Sequence, residues 1–410
     1  MCRFKAHCLL LFILFIPLSL AGQELQIELH QLKELAEQYS AEWQQIDNQL
    51  DYSIQGERVS ATRLNPSLAY DLEFLDDGTY SEYEHQLYLQ KEFRTPGYFR
   101  NLRERRDSRT NLYEYQSESV RAEWLSSTRF GFIQIVLAKQ EIEQLRFLIS
   151  HLNRLATASA RRTDEGEESA IDNQLIQMSR YVLKTRIEEV ELEAEFLETN
   201  WRNRMGFDVQ DEIHYDGDFR KPDIQLPEVA ELLTLLNETP QMNAYRMAVE
   251  TAEVEESFAR SSRLSTFELT AGYKHLNPDF QGFLVGIAIP IPILNSGSEA
   301  ISRARMLNRI EQTNLNQARI ERNQNLYRVL NSLQHYEVIL NQFPDHLSQP
   351  DQFIDSISIS YEEGTLSLND FLNTLSLMAD TYQSKFNQLT GYYSMITELE
   401  TLAGREFINQ

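Results

Sequence analysis

The sequence predicts a mainly helical protein with a small β part, built from two copies of one plan. Glycines recur in the same order and at matching spacings in the two halves of the chain: Gly97, Gly166 and Gly206, then Gly297, Gly364 and Gly404. Long stretches repeat apolar residues at helical spacing, whereas four short segments alternate apolar and polar residues. These observations indicate an internal duplication, in which each copy holds one pair of strands and one long helical hairpin.

Residues 1–21 have the pattern of a secretory signal peptide. A basic start precedes a short apolar run at Leu9–Leu20, and small residues end the segment, with the expected cleavage after Ala21. Both cysteines of the chain, Cys2 and Cys8, lie within this segment. We therefore expect an exported mature chain without disulfides or thiolate metal sites.

Charge and composition limit what the mature chain is expected to bind. The formal net charge of −24 argues against a nucleic-acid partner, because an acidic surface repels the phosphate backbone. The histidines are scattered, with His335 and His346 as the closest pair in sequence, so we expect no metal and no cofactor. No set of catalytic residues can be named, and an enzyme is not expected. No stretch after the signal holds eighteen consecutive apolar residues, which argues against a helical membrane span.

The first copy is predicted over residues 22–205. A helix over about 25–58 leads to a strand pair at 66–93. The first strand, "SLAYDLEFL", places apolar residues on one face and acidic residues on the other, whereas "YEHQLYLQKEF" alternates less clearly. A helical hairpin at 97–205 follows, and its first helix is about 95 Å long if unbroken.

The second copy is predicted over residues 227–404 and repeats this order. A helix over about 228–262 leads to a strand pair at 264–292, with the alternating segments "STFELTAGYKH" and "QGFLVGIAIPIPI". A second helical hairpin at 297–404 follows.

Three further features complete the predicted organisation. Residues 206–226 are expected to link the two copies, and residues 405–410 to form a short C-terminal tail. Pro344 and Pro350 are expected to kink or break the descending helix of the second hairpin, because proline cannot continue the helical hydrogen bonds.

Both hairpins carry apolar residues at alternating spacings of three and four, which is the seam of a coiled coil. The seam of the first hairpin is Ile135, Ala138, Ile142, Leu145, Ile149, Leu152 and Ala156. The seam of the last helix is Leu375, Met378, Tyr382, Leu389, Tyr392, Ile396, Leu399 and Ala403. The twin segments "DEGEESAIDNQL" and "YEEGTLSLNDFL" are predicted to be the hairpin tips, where a glycine reverses the chain and a Ser-x-x-Asp box caps the returning helix.

Four strands are too few to close a barrel. An open sheet in lipid would leave the backbone groups of its edges unpaired, so the strands are expected to combine with those of other subunits. Three chains would supply twelve strands, and the helical hairpins would then enclose a tube.

These motifs resemble the TolC family of outer-membrane efflux proteins over about residues 25–405. They are "LNPSLAYDLEFL" at the first strand, "TPGYFRNLRERR" and "PILNSGSEAISRAR" at the descending helices, "YEEGTLSLNDFL" at a tip and "TELETLAG" at the end. The compact length looks most like the branch that serves cobalt–zinc–cadmium or copper exporters. The resemblance implies a homotrimer in the outer membrane of a Gram-negative bacterium, with a twelve-stranded β-barrel above a periplasmic α-barrel.

The resemblance also implies a function and partners. The chain would be a passive conduit that receives substrate, heavy-metal cations among the candidates, from a periplasmic adaptor and a proton-driven inner-membrane pump of the RND type. The alternative is a periplasmic coiled-coil scaffold or adaptor protein without a pore. The alternating strands argue against that alternative, because a soluble coiled coil has no use for an apolar sheet face.

The resemblance places candidate site residues at the hairpin tips. Asp172 and Asp370 would ring a periplasmic aperture, although both also fit the simpler role of capping acids. The candidate adaptor contacts are Gly166, Ser169, Gly364, Thr365, Leu366 and Ser367. Leu366 is expected to be exposed, as a docking residue would be, and local hairpin packing is the alternative for the whole set.

Strand alternation gives a third group of candidates. The carboxylates expected to line the barrel lumen are Asp71, Glu73, Glu84 and Glu268. The alternative for each of them is an ordinary solvated carboxylate.

Overall fold

The computed structural model describes residues 25–408, except 77, 80, 166–168, 221–223, 277–279, 292, 294–296 and 344–349. The predicted signal peptide and the tip residue Gly166 therefore lie outside the described residues. The protein is mainly helical with a small antiparallel sheet, as the sequence predicts.

The N-terminal part is not the single helix expected over 25–58. It begins with strand β1 (Leu25–Ile27) and continues through α1 (Leu32–Tyr39) and α2 (Ala41–Ser60). Ser40 separates the two helices in an extended conformation. Its hydroxyl donates to the Arg204 carbonyl at 2.8 Å, so packing against a distant helix end imposes the break.

The helix expected over 228–262 is divided in the same way. It consists of α5 (Val229–Glu238) and α6 (Pro240–Ser261), and Thr239 caps the second helix by accepting from the Met242 N–H at 3.4 Å. Both copies therefore have a break in this helix. Thr239 caps the second helix segment in the second copy, as Ser40 does in the first copy.

Glycines at the ends of the returning helices explain why these breaks occur where they do. Gly206 and Gly404 both have left-handed backbone conformations, with φ of 83° and 64°. A Cβ added to Gly206 would lie 2.3 Å from the Tyr39 carbonyl oxygen, and one added to Gly404 would lie 3.2 Å from the Thr239 Cγ2. Each glycine therefore allows a helix end to contact the chain next to the break.

The segment expected to be a linker, 206–226, also contributes to the fold. It contains strand β4 (Ile213–Tyr215), which pairs in parallel with β1. After this strand, Phe219 is fully buried and its ring meets that of Tyr393 edge to face, with centroids 5.2 Å apart.

Four longer strands form one antiparallel sheet in the order β2-β3-β5-β6. Their bounds are Ser67–Asp76 for β2, Ser81–Arg94 for β3, Thr266–Leu276 for β5 and Phe280–Ala288 for β6. The last strand ends before the expected limit, since Pro290 has no N–H to donate to a strand ladder. The centre of the sheet is the pair β3–β5, which joins the two halves of the chain.

Each strand pair is followed by long helices. The first hairpin consists of α3 (Pro96–Asp164), about 104 Å long at ~1.5 Å per residue, and α4 (Ala170–Met205). The second consists of α7 (Ser298–Leu340), α8 (Pro350–Glu362) and α9 (Leu368–Ala403). The expected break is present, because α7 ends at Leu340 and α8 begins at Pro350. Pro344 itself lies outside the described residues.

The predicted seams form the core of the hairpins. All eight predicted seam residues of α9 are buried, and those of α3 are buried or packed against the same apolar cluster. Within the described residues, none of the helices is both long enough and apolar enough to cross a membrane.

The helices next to the sheet follow the same lateral order as the strands. Helix α2 packs on α3, α3 on α6, and α6 on α7. Further from the sheet, α3 lies between α4 and α9, and α9 packs on α7. The molecule is therefore a layer of elements with two lateral edges.

The described part of the predicted C-terminal tail, residues 405–408, is docked on the core. Ile408 is buried, and its carbonyl accepts from Arg129 Nη2 at 3.0 Å. The Glu400 carboxylate accepts from the Ile408 N–H at 2.9 Å and forms an ion pair with Arg129 at 3.4 Å. Burial raises the pKa of Glu400, although the charge of Arg129 acts in the opposite direction.

Candidate functional site

One face of the four-stranded sheet is apolar and exposed. Two rows of residues cross all four strands in register on this face: Tyr70, Leu87, Tyr273 and Phe283, and next to it Leu68, Leu89, Ala271 and Val285. Phe283 is 92% exposed and Val285 is 83% exposed. An exposed apolar surface of this extent on a four-stranded sheet is typical of contact with lipid or with another protein.

The opposite face of the sheet carries the four predicted lumen residues. Glu73 pairs directly with Glu84 across β2 and β3, Asp71 lies two residues before Glu73, and Glu268 pairs with Glu92 across β3 and β5. Side chains two apart on a strand share a face, so the four carboxylates lie on one side. Their place in a channel lumen stays a prediction.

The carboxylates of this face differ in their contacts. Asp71 accepts a hydrogen bond from the Tyr88 hydroxyl at 2.7 Å, and Glu268 accepts one from Gln90 at 3.2 Å. Glu84 is buried and forms an ion pair with Lys274. Its charge is thus locally compensated, which the sequence did not reveal because Lys274 belongs to the other copy.

Gly272 lies opposite Tyr88 at the centre of this polar face. A Cβ added to Gly272 would lie 2.3 Å from the Tyr88 Cβ and 2.6 Å from the Leu87 carbonyl oxygen. The absence of a side chain on β5 therefore makes room for Tyr88 on β3, and it brings the Tyr88 hydroxyl within reach of Asp71.

Ion pairs hold the helices together near the sheet. Arg109 on α3 contacts Glu57 on α2 at 2.9 Å and Glu255 on α6 at 2.6 Å. Arg105, one turn before Arg109, contacts Glu255 at 2.8 Å. These side chains are mostly buried, so the pairs fix the lateral order of the three helices that continue the sheet.

The tip between α8 and α9 is a tight turn stabilised by local hydrogen bonds. Gly364 has a φ of 73°, and the Ser360 carbonyl accepts the N–H groups of Thr365 and Leu366, both at 3.0 Å. Ser367 caps α9, because its hydroxyl accepts from the Asp370 N–H at 3.2 Å.

Two predictions about this tip need correction. Leu366 is half-buried and packs against the apolar core, so the expectation that it is exposed is wrong, whereas its role as an adaptor contact stays a prediction. The predicted capping box at this tip is also incomplete. In a capping box the Asp370 carboxylate would accept from the Ser367 backbone N–H, whereas here it accepts from the Ser367 hydroxyl at 2.6 Å.

The other tip is described in part. Ser169 caps α4 by accepting from the Ile171 N–H at 3.1 Å, and Asp172 lies half-buried in the first turn. Asp370 is exposed in the first turn of α9. Among the described residues, no hydrogen bond or ion pair joins Asp172 to Asp370, and no group of three or more His, Cys, Asp or Glu residues could hold a metal ion.

Three solved structures resemble this chain over most of its length. For CusC, whose crystal structures concern folding and transmembrane channel formation, the TM-score is 0.75 at 14% identity, over 92% of this chain and 92% of that chain. For the CmeC outer membrane channel of Campylobacter jejuni, the TM-score is 0.74 at 14% identity, over 93% of this chain and 87% of that chain. For the outer membrane protein VceC of Vibrio cholerae, the TM-score is 0.74 at 15% identity, over 93% of this chain and 97% of that chain.

No protein-family model and no curated protein matches the chain. At these low identities the structural likeness shows that this chain shares its fold with CusC, CmeC and VceC.

Proposed function

We propose that three copies of this chain form an outer-membrane channel of an efflux system, with the sheet in the membrane and the helices as a periplasmic conduit. The observation that carries this proposal is the two-faced sheet with open edges. One face is apolar and exposed, the other holds carboxylates, and strands β2 and β6 have no neighbour on their outer sides among the described residues.

Closure of the sheet follows from the cost of unpaired backbone groups. An edge strand leaves every second N–H and C=O without a partner, and lipid offers no water to replace it. In the proposed trimer, β6 of one chain pairs with β2 of the next, which gives a barrel of twelve strands. The apolar face then meets lipid and the carboxylates face the lumen.

The helices support the same arrangement. In the single chain, the helices at the edges of the layer leave large apolar residues exposed. These residues are Tyr52 and Val59 on α2, Tyr181 and Val182 on α4, and Ile310, Ile320 and Tyr327 on α7. In the proposed ring these residues pack between neighbouring chains.

Further details of the proposal rest on the resemblance to the TolC family. Asp172 and Asp370 contribute to a periplasmic aperture, where three copies of each would favour cations. The adaptor contacts are Gly166, Ser169, Gly364, Thr365, Leu366 and Ser367, with an inner-membrane pump beyond them. The signal at 1–21 directs export, and heavy-metal cations are the proposed substrate.

Two variants on neighbouring residues test the central proposal. Val285→Arg places a charge on the apolar face near the middle of strand β6, whereas Leu284→Arg places it on the opposite face of the same strand. A basic residue facing lipid near the bilayer midplane costs about 2–4 kcal/mol, and one in the lumen costs little.

The full chain is expressed with its N-terminal segment, and trimers in the outer-membrane fraction are measured. We expect Val285→Arg to lower the amount of trimer strongly, and Leu284→Arg to leave it near that of the unchanged chain. In planar bilayers, the ion selectivity of the Leu284→Arg channel should shift towards anions. Equal effects of the two variants, or a soluble monomer in every case, would contradict the proposal, and the second result would favour the periplasmic scaffold.

The aperture has a separate test in the same bilayers. The double variant Asp172→Asn and Asp370→Asn should reduce the preference for cations without reducing the amount of trimer. If the selectivity is unchanged, the two acids do not contribute to an aperture.

A further inference from the structure

We infer that His85 and His275 form a binding site for a divalent first-row transition-metal cation, such as Zn²⁺ or Cu²⁺, on the apolar face of the sheet. The two residues are far apart in the sequence and lie in different copies of the repeat. Strand pairing brings them together, since His85 on β3 is directly opposite His275 on β5.

The geometry of the two rings fits a shared ion. Their centroids are 6.2 Å apart and their planes are inclined by 29°. An imidazole nitrogen binds Zn²⁺ at about 2.0–2.1 Å, so each ring centroid lies about 3.2 Å from the ion. Two such rings have centroids about 5.2 Å apart at the tetrahedral angle and about 6.4 Å apart when opposed. The observed separation lies within this range. The two rings are stacked, so rotation about the side-chain bonds is needed to turn a nitrogen of each ring towards the ion.

Tyr70 provides the support that a metal-binding histidine needs. Its hydroxyl oxygen lies 2.7 Å from His85 Nδ1. When Nδ1–H donates to this oxygen, the lone pair of Nε2 is free to bind a cation, and the ring orientation is fixed. A hydrogen bond of this kind from the second ring nitrogen is the usual partner of a metal-bound histidine.

The row that holds the pair is mixed: Leu72 on β2 lies opposite His85, and the polar neighbour is on the other side. Gln281 on β6 lies directly opposite His275 and accepts a hydrogen bond from the Tyr273 hydroxyl at 2.7 Å. The pair His275–Gln281 lies one position before the last pair of β5 and β6. It is therefore near the end of the sheet that is remote from the helices, where water can supply further ligands.

The ligand chemistry selects the class of metal. Imidazole nitrogen suits zinc, copper and nickel, whereas calcium and magnesium prefer oxygen ligands. With two protein ligands the site is open to exchange, which distinguishes it from a closed structural metal centre.

Binding is measured on the detergent-solubilised full chain with Cu²⁺ and Zn²⁺ as the probes and Mg²⁺ as the comparison. We expect one Cu²⁺ per chain with two coordinating nitrogens in the electron paramagnetic resonance spectrum. His85→Gln and His275→Gln should each weaken binding at least tenfold and remove the two-nitrogen signal. Tyr70→Phe should weaken it about tenfold. His335→Gln, on the exposed side of α7, should have no effect.

A variant that strengthens binding guards against loss of folding as the explanation. Leu87 lies two residues after His85 on the same face and opposite Tyr273, so Leu87→His adds a third imidazole beside the pair. We expect at least tenfold tighter binding of Zn²⁺. Unchanged binding in His85→Gln, or no gain in Leu87→His, would overturn the assignment. The measurement needs no membrane insertion or conductance, so its outcome is independent of the channel proposal.

Discussion

Glu141 on α3 is a buried carboxylate that the fold does not neutralise. It is 8% exposed, and its Oε1 atom has no hydrogen-bond partner among the described residues. The charges that act on it are those of Arg186 and Glu193 on α4, and Arg186 is already engaged with Asp380 on α9 at 2.8 Å. Burial raises the pKa of Glu141 from its ordinary value of 4.5 to about 7, and the charge of Glu193 adds to this effect while Arg186 opposes it.

Replacement of Glu141 by glutamine should therefore stabilise the hairpin at alkaline pH. The raised pKa means that the folded protein holds this proton more tightly than the unfolded chain. The corresponding stability is fully present below about pH 4.5 and is lost as the pH rises through about 7. At ~1.36 kcal/mol per pKa unit the ceiling is about 3.4 kcal/mol, and relaxation of the site reduces it to about 1–3 kcal/mol at pH 8.

Hydrogen exchange of the detergent-solubilised protein measures this difference locally. At pH 8 the amides of α3 around residue 141 and of α4 around residue 186 should exchange about tenfold more slowly in Glu141→Gln, after correction for the intrinsic exchange rate. At pH 4.5 the variant and the unchanged chain should agree closely. Glu143→Gln is the matched control, because Glu143 lies on the same helix and is exposed.

Exchange in Glu141→Gln that is as fast as in the unchanged chain at pH 8 would contradict this prediction. Equal protection in Glu143→Gln would also contradict it, since the effect would then come from net charge.

Two further predictions concern the ends of the returning helices. Arg129→Met leaves the Glu400 carboxylate buried without its cation, and we expect a loss of about 3–5 kcal/mol in thermal unfolding together with faster proteolysis after residue 404. Gly206→Ala should destabilise the protein by more than about 2 kcal/mol, because the left-handed backbone costs an alanine about 1–2 kcal/mol and the new Cβ meets the Tyr39 carbonyl. Gly56→Ala, inside α2 with open space around it, should instead stabilise by about 0.5–1 kcal/mol, and the same sign for both glycines would contradict this account.

The sequence predicts those features that depend on local periodicity. Alternation over Leu68–Phe74 gives both the strand and its apolar face, and the three-and-four spacing of α9 gives the buried seam. The helix break at Ser40 could not be predicted, because the helical pattern continues through it and the break depends on a contact with the end of a distant helix. The break at Thr239 does have a local signal that the prediction overlooked, since Pro240 occupies the first position of α6 and cannot continue a preceding helix.

The other features that the sequence did not predict depend on pairing between strands that are far apart in the chain. The three-residue pairing of β1 with β4 has no local signal, and it joins the first described residues to the segment between the two copies. The contact of Glu84 with Lys274, like that of His85 with His275, requires the pairing of β3 with β5. The alternating pattern of each strand contains no information about which strand lies beside it.

The central pairing of β3 with β5 has a consequence for assembly. Within one chain, this pairing joins the first copy to the second, and the two copies have the same order of strands and helices. In the proposed trimer the ring is therefore a pseudo-hexamer, in which contacts between the two halves of one chain alternate with contacts between neighbouring chains. If the chain were cut between β4 and α5, all six contacts would join separate polypeptides while the sheet and helix surfaces stayed the same, so two separately expressed halves should still associate and form the proposed ring.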